Sequence, residues 1–119
     1  MIHFNKFVLL RPLQQGSGRW IVEEPLIYIS DAGSLYTVPQ GFITDLASIP
    51  RFLWSIWPPF GRYASAAVLH DYFCGVNWIS RKDGDKVFLE AMKYSSVPVW
   101  KRYIIYWGVR LFAIVNRIK

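Results

Sequence analysis

Ile43-Thr44-Asp45-Leu46-Ala47-Ser48-Ile49-Pro50-Arg51 is the stretch on which the fold turns, because strand-type sequence gives way there to helix-type sequence. Upstream, from Ile2 to about Ile43, runs of strand formers alternate with turn residues. Phe7-Val8-Leu9-Leu10, Trp20-Ile21-Val22, Leu26-Ile27-Tyr28-Ile29 and Leu35-Tyr36-Thr37-Val38 are separated by Gln15-Gly16-Ser17-Gly18, Pro25 and Asp31-Ala32-Gly33-Ser34. They predict an antiparallel meander of three to five strands. Downstream, Ser48 as N-cap with Pro50 in the first turn opens a short helix through Phe52, Leu53 and Trp54, which Pro58-Pro59 must end. A second helix runs from Arg62 to Cys74, apolar on nearly every face, as a central buried helix should be. Ser80-Arg81-Lys82-Asp83 reads as a capping box opening a third helix to about Tyr94, and Val97-Pro98 starts a fourth that reaches the C-terminus. The fold class is therefore α+β, an N-terminal antiparallel β-meander packed against three or four C-terminal helices. One domain over residues 1–119 is expected, strand-rich to about 45 and helical from 46.

Composition narrows the function classes. Aromatic residues make up 18% of the chain, six of them Trp, which excludes disorder and calls for a dense aromatic core or rings that face a partner. A formal charge of +6 favours an anionic partner: a cell-wall polymer, a membrane surface or nucleic acid. No recognised nucleic-acid module or clustered phosphate-binding loop accompanies the charge. The lone Cys74 has no internal disulfide partner, and the Met1 segment lacks a basic n-region followed by an apolar h-region, so a cytoplasmic site is expected. The last helix carries Trp100, Ile104, Trp107, Leu111, Val115 and Ile118 at helical spacing, a face expected to pack on the domain. Lys101, Arg102, Arg110 and Arg117 lie on its other side and break the apolar run short of the roughly 20 residues that span a bilayer, so no transmembrane segment is expected. A basic amphipathic helix lying on a membrane surface is the alternative for this segment.

The chemistry-bearing residues are polar groups set in apolar surroundings. Helical spacing places His70 with Tyr63, Ala66, Ala67 and Cys74, and Asp71 with Ala64, Ala67, Val68 and Cys74. Asp85 heads a stripe of Phe88, Leu89 and Met92, whereas Asp83 is an ordinary first-turn carboxylate. Asp45 falls at the strand-to-helix junction, where functional side chains are common. A buried ionisable group needs a partner. Convergence of Asp45, His70, Asp71 and Asp85 would suit zinc, manganese or magnesium with an open water position, and such a metal lowers the pKa of bound water enough for hydrolysis. Arg51 would stabilise the developing oxyanion, with Thr44 and Ser48 donating hydrogen bonds behind the ligands. Equally, a buried Asp45–Arg51 or His70–Asp85 pair joining strands to helices needs neither metal nor chemistry. Cys74 as nucleophile is the weaker idea, since its face reads as buried and buried thiols are inert. Ser48 with His70 lacks a glycine-flanked nucleophile turn.

Three blocks carry a family likeness: Val38-Pro39-Gln40-Gly41-Phe42-Ile43-Thr44-Asp45-Leu46-Ala47-Ser48-Ile49-Pro50-Arg51, Ala66-Ala67-Val68-Leu69-His70-Asp71, and Asp85-Lys86-Val87-Phe88. From about Val38 to Met92, and on into Trp100-Lys101-Arg102 and Val109-Arg110-Leu111-Phe112, the chain resembles the family catalogued as domain of unknown function 1353, found in tailed phages and prophages. That resemblance implies a phage-encoded protein and no particular activity. His70-Asp71 followed by Asp85 is also similar to the metal dyad and distal Asp of HD phosphohydrolases, whose upstream His has only His3 as a counterpart here.

Two functional readings follow. One is a metal-dependent hydrolase acting on cell-wall peptide or phosphoester bonds through Asp45, His70, Asp71, Asp85 and Arg51. The other is a non-enzymatic phage accessory or assembly protein, with a structural polar centre and an aromatic and basic surface for a phage or host protein. The host cytoplasm is the expected location for either, with the virion as the other candidate.

Overall fold

A computed structural model describes residues 3–5, 8–13, 19–44, 64–95 and 97–116. Five short strands precede three helices: β1 (Leu10–Pro12), β2 (Trp20–Val22), β3 (Leu26–Ile29), β4 (Leu35–Val38), β5 (Ile43–Thr44), α1 (Ala64–Gly75), α2 (Arg81–Tyr94) and α3 (Val99–Val115). The architecture is α+β with antiparallel pairing throughout these strands, as the strand-then-helix order predicts. The short helix expected from Ser48 to Trp54 lies outside the described residues.

The strands divide between two sheets. β3 and β4 form a hairpin in which Leu26 faces Val38 and Ile29 faces Leu35, closed by the Asp31-Ala32-Gly33-Ser34 turn with Ser30 and Ser34 bonded across it. The other sheet has the order β1-β2-β5, so the chain after β4 returns to pair with β2, Trp20 opposite Thr44 and Ile21 opposite Ile43. Two residues explain the division. Pro25 has no amide hydrogen with which to continue β2 into β3 as one ladder. Gly41, with φ +90°, turns the chain back in a conformation that side-chain-bearing residues rarely adopt, and its N–H reaches the Val22 carbonyl at 2.9 Å. Along the free edge of β3, Asn5 N–H donates to the Ile27 carbonyl and Ile29 N–H to the His3 carbonyl, so residues 3–5 partly cover it.

Alternation selects the inner faces: Leu26 and Tyr28 on β3 and Val38 on β4 are buried, with Val22 from β2 beside them. These side chains pack on Ala66, Ala67, Val68, Leu69 and Phe73 of α1 and join Phe88 and Met92 of α2 in one core. Each large side chain fully buried there contributes about 1.5–3 kcal/mol. Residues 64–70 of α1 are buried without exception, the signature of a helix surrounded by other elements. Its alanines keep it slim, and α2 approaches closely at Gly84, where a Cβ would sit 3.1 Å from Phe73 Cβ. Ser80 caps α2 by accepting the Asp83 N–H at 3.1 Å, as its capping-box sequence requires.

α3 corrects one expectation. The face of Trp100, Trp107 and Leu111 does not pack on the domain: these residues are 59%, 61% and 62% exposed. Ile105, Val109 and Ala113 form the buried stripe instead. Both stripes recur at helical spacing, so periodicity alone could not choose between them. The slimmer stripe lets α3 approach α2 closely, whereas two indoles would hold the helices apart. Among the described residues no helix is long and apolar enough to cross a membrane.

Candidate functional site

Asp85 is the centre of the polar cluster. It lies one turn into α2 with its side chain wholly buried, and Oδ1 stands 2.6 Å from His70 Nε2 and 3.1 Å from Arg81 Nε. Arg110 Nη1 donates to Oδ2 at 2.9 Å. One carboxylate thereby ties α1, α2 and α3 together. Arg81 reaches it from one helical turn earlier, the spacing at which side chains on a helix meet. Phe88, one turn later on the same face, stacks on the His70 ring at a tilt of 29° with centroids 4.4 Å apart, holding the imidazole between an apolar plate and a carboxylate.

The electrostatics follow from this enclosure. Burial pushes the Asp85 pKa up, but the His70 hydrogen bond and the Arg81 and Arg110 guanidiniums outweigh it and hold the carboxyl below its ordinary range. Burial likewise disfavours the charged imidazole, and although Asp85 pulls the other way, His70 titrates below its ordinary value. At neutral pH the centre is thus a carboxylate, a neutral imidazole and two guanidiniums. Because the carboxylate has no proton to give, Nε2–H of His70 is the donor to Oδ1.

Asp71 takes a different direction. Adjacent positions on a helix diverge by about 100°, and Asp71 is half-buried, accepting a 2.5 Å hydrogen bond from the hydroxyl of buried Thr44 at the end of β5. The structure therefore joins His70 to Asp85 and Asp71 to Thr44. Asp45, Ser48 and Arg51 lie outside the described residues. Among the described residues no three His, Cys, Asp or Glu side chains gather closely enough to hold a metal ion. Asp85 also fits a metal poorly on its own chemistry, since both of its oxygens already serve cations or a ring N–H.

Cys74 corrects a second expectation: it is exposed, at the end of α1 where the helix emerges from the core. Desolvation by neighbouring groups nevertheless pushes its thiol up to about 11, so it is a poor nucleophile at neutral pH. His3, the only counterpart for the upstream ligand of HD phosphohydrolases, bonds to Asp31 at 3.0 Å and stacks on Tyr94 with centroids 3.4 Å apart. This second cluster also contains Glu90, which accepts hydrogen bonds from the Tyr28 hydroxyl and the Asp31 N–H. Desolvation and the neighbouring Glu90 carboxylate drive the Tyr28 pKa far upward, so it stays a donor. Sequence reasoning missed Arg81, Arg110 and this cluster. The i, i+4 spacing of Arg81 and Asp85 was a usable signal; the long-range partners offered none.

The family described as "Protein of unknown function (DUF1353)" matches residues 20–109. The chain belongs to that family. An uncharacterized protein of Sinorhizobium fredii (strain NBRC 101917 / NGR234), y4jT, is 36% identical over 104 residues, which is 86% of this chain and 29% of that relative's length. The chain thus spans under a third of that relative. No solved structure matches it. Within the matched region lie the whole His70–Asp85–Arg81 cluster and Thr44–Asp71, with Arg110 one residue beyond its end.

Proposed function

We propose that this chain is a non-enzymatic accessory or assembly domain, in which the buried polar centre holds the helices and the aromatic, basic face of α3 meets a partner. One observation carries the reading: Asp85 is fully buried and both of its oxygens already accept from His70, Arg81 or Arg110, which suits a structural hub joining three helices. His70, fully buried beneath Phe88, offers no ring edge to a substrate arriving from solvent. A phage or prophage origin, with action in the host cytoplasm or in the virion, belongs to the same proposal and rests on the family resemblance.

Metal-dependent hydrolysis of cell-wall peptide or phosphoester bonds is the second reading. It is favoured by Thr44, the residue before Asp45, donating to Asp71 beside His70 on α1, so that a ligand set built on Asp45 and Asp71 would not need Asp85. Elemental analysis of protein purified without added metal separates the two. Substoichiometric zinc, manganese and magnesium, with a melting temperature unmoved by adding each ion, supports the accessory reading. Stoichiometric metal lost in Asp71→Asn overturns it.

A further inference from the structure

The outward side of α3 is where a folded domain would ordinarily place charges. It carries Trp100, Tyr103, Ile104, Trp107, Leu111 and Ile114 instead, each more than two-fifths exposed. At about 100° per residue these six occupy an arc of roughly 100°, and the exposed Val99 and Val115 widen it to about 160°. A partner helix docks along a narrow seam of two positions in seven, so it would leave much of this arc in water. A lipid surface has no such seam and covers a wide arc evenly.

Charge points the same way. From Val97 to Lys119 the sequence has no Asp or Glu and five Lys or Arg, in a chain whose formal charge is +6. Lys101 sits beside the aromatic arc, its Nζ 5.4 Å from the Trp100 ring centre; Arg102 Cζ is 5.9 Å from that of Tyr103, but Arg102 starts from the side of Val109 and Ala113 and donates to the Val97 carbonyl at 3.4 Å. Indole and phenol rings with long basic side chains at their edge are the groups that settle at a headgroup boundary, rings toward the acyl chains and cations toward phosphate. A second copy would bring cations and no acidic residue on its own α3, so self-pairing along this helix lacks the complementarity that anionic lipid supplies. α3 cannot cross the bilayer, and Ile105, Val109 and Ala113 commit its other side to the core, so it would lie in the plane of the surface.

We propose that α3 docks the domain onto an anionic membrane surface, its exposed aromatic arc inserted and Lys101 at the headgroups. This deepens the accessory reading by naming its partner. The test is co-sedimentation of the full chain with vesicles of phosphatidylcholine alone or of equimolar phosphatidylcholine and phosphatidylglycerol. Binding to the anionic vesicles should exceed binding to the neutral ones by roughly tenfold or more and fall steeply in high salt. Trp107→Glu and, independently, Leu111→Ser should lose most of that binding while keeping the wild-type far-UV spectrum and melt, since both side chains point outward. Absence of vesicle binding, equal binding to neutral vesicles, or binding that survives both substitutions overturns the proposal. So does a dimer in sedimentation equilibrium that both substitutions dissolve, which would assign the arc to a second copy. Metal content is unaffected by any of these outcomes, so failure here is distinguishable from failure of the accessory reading.

Discussion

Replacing Asp85 by Asn tests the polar centre most directly. The change preserves shape and removes the charge, and its amide would present an N–H where the carboxylate now accepts from Arg110 at 2.9 Å or from His70 and Arg81. With Arg81 and Arg110 side chains only 8% and 12% exposed, two guanidiniums lose their counter-ion in a largely dry setting. Breaking a buried ionic cluster from one side costs about 3–5 kcal/mol. Against a total stability of about 5–15 kcal/mol, that removes roughly a fifth or more of what holds the domain. The melting temperature should fall by roughly 10–20 °C, read by far-UV circular dichroism and checked by the urea midpoint at unchanged slope. Asp83→Asn on the same helix is the control: its first-turn carboxylate is exposed, so the loss should stay within about 1 kcal/mol. If Asp85→Asn melts within a few degrees of wild type, the carboxylate is not a structural hub, and the case for a non-enzymatic centre fails with it.

Acidification should destabilise the fold in two stages. The native pKa of His70 lies below its unfolded value of about 6.5, so the unfolded chain binds the extra proton and stability drains as pH falls from about 6.5 toward the native value; His70→Gln should flatten that stage. Asp85, also depressed, adds stability above about pH 4 that is lost as pH falls through its native pKa, which thermal melts across the acid range would resolve. Gly84→Ala should destabilise by about 1 kcal/mol despite its better helix propensity, because the new methyl meets Phe73 Cβ, an atom fixed to the α1 backbone; a rise in melting temperature would show that the two helices can separate. Thr44→Val should cost about 1.5–3 kcal/mol in urea titration by stripping Asp71 of a charge-assisted hydrogen bond, and an unchanged midpoint would mean that water replaces it. Cys74, although exposed, should alkylate at pH 8 roughly a hundredfold more slowly than a free thiol, and a rate near that of a small-molecule thiol would refute its raised pKa of about 11.

The sequence by itself determined what depends on near neighbours. The switch in period around Ile43 to Ser48, the Ser80 cap, the proline before α3 and the all-apolar face count of α1 each act within a turn or two of backbone, and each element that they predict among the described residues is present. Polar residues at buried positions marked His70 and Asp85 as partners in waiting, since only a pairing makes such burial tolerable. The tertiary structure decided everything that required comparing distant segments. It chose Arg110, 25 residues along the chain, as the second cation on Asp85, and it sent β5 to β2 instead of to β4. It also settled which of two equally periodic stripes of α3 turns inward. Periodicity reports only that a face is apolar; whether that face is buried depends on the shape of what lies opposite, and there the slim stripe of Ile105, Val109 and Ala113 fitted where the indoles of Trp100 and Trp107 would not.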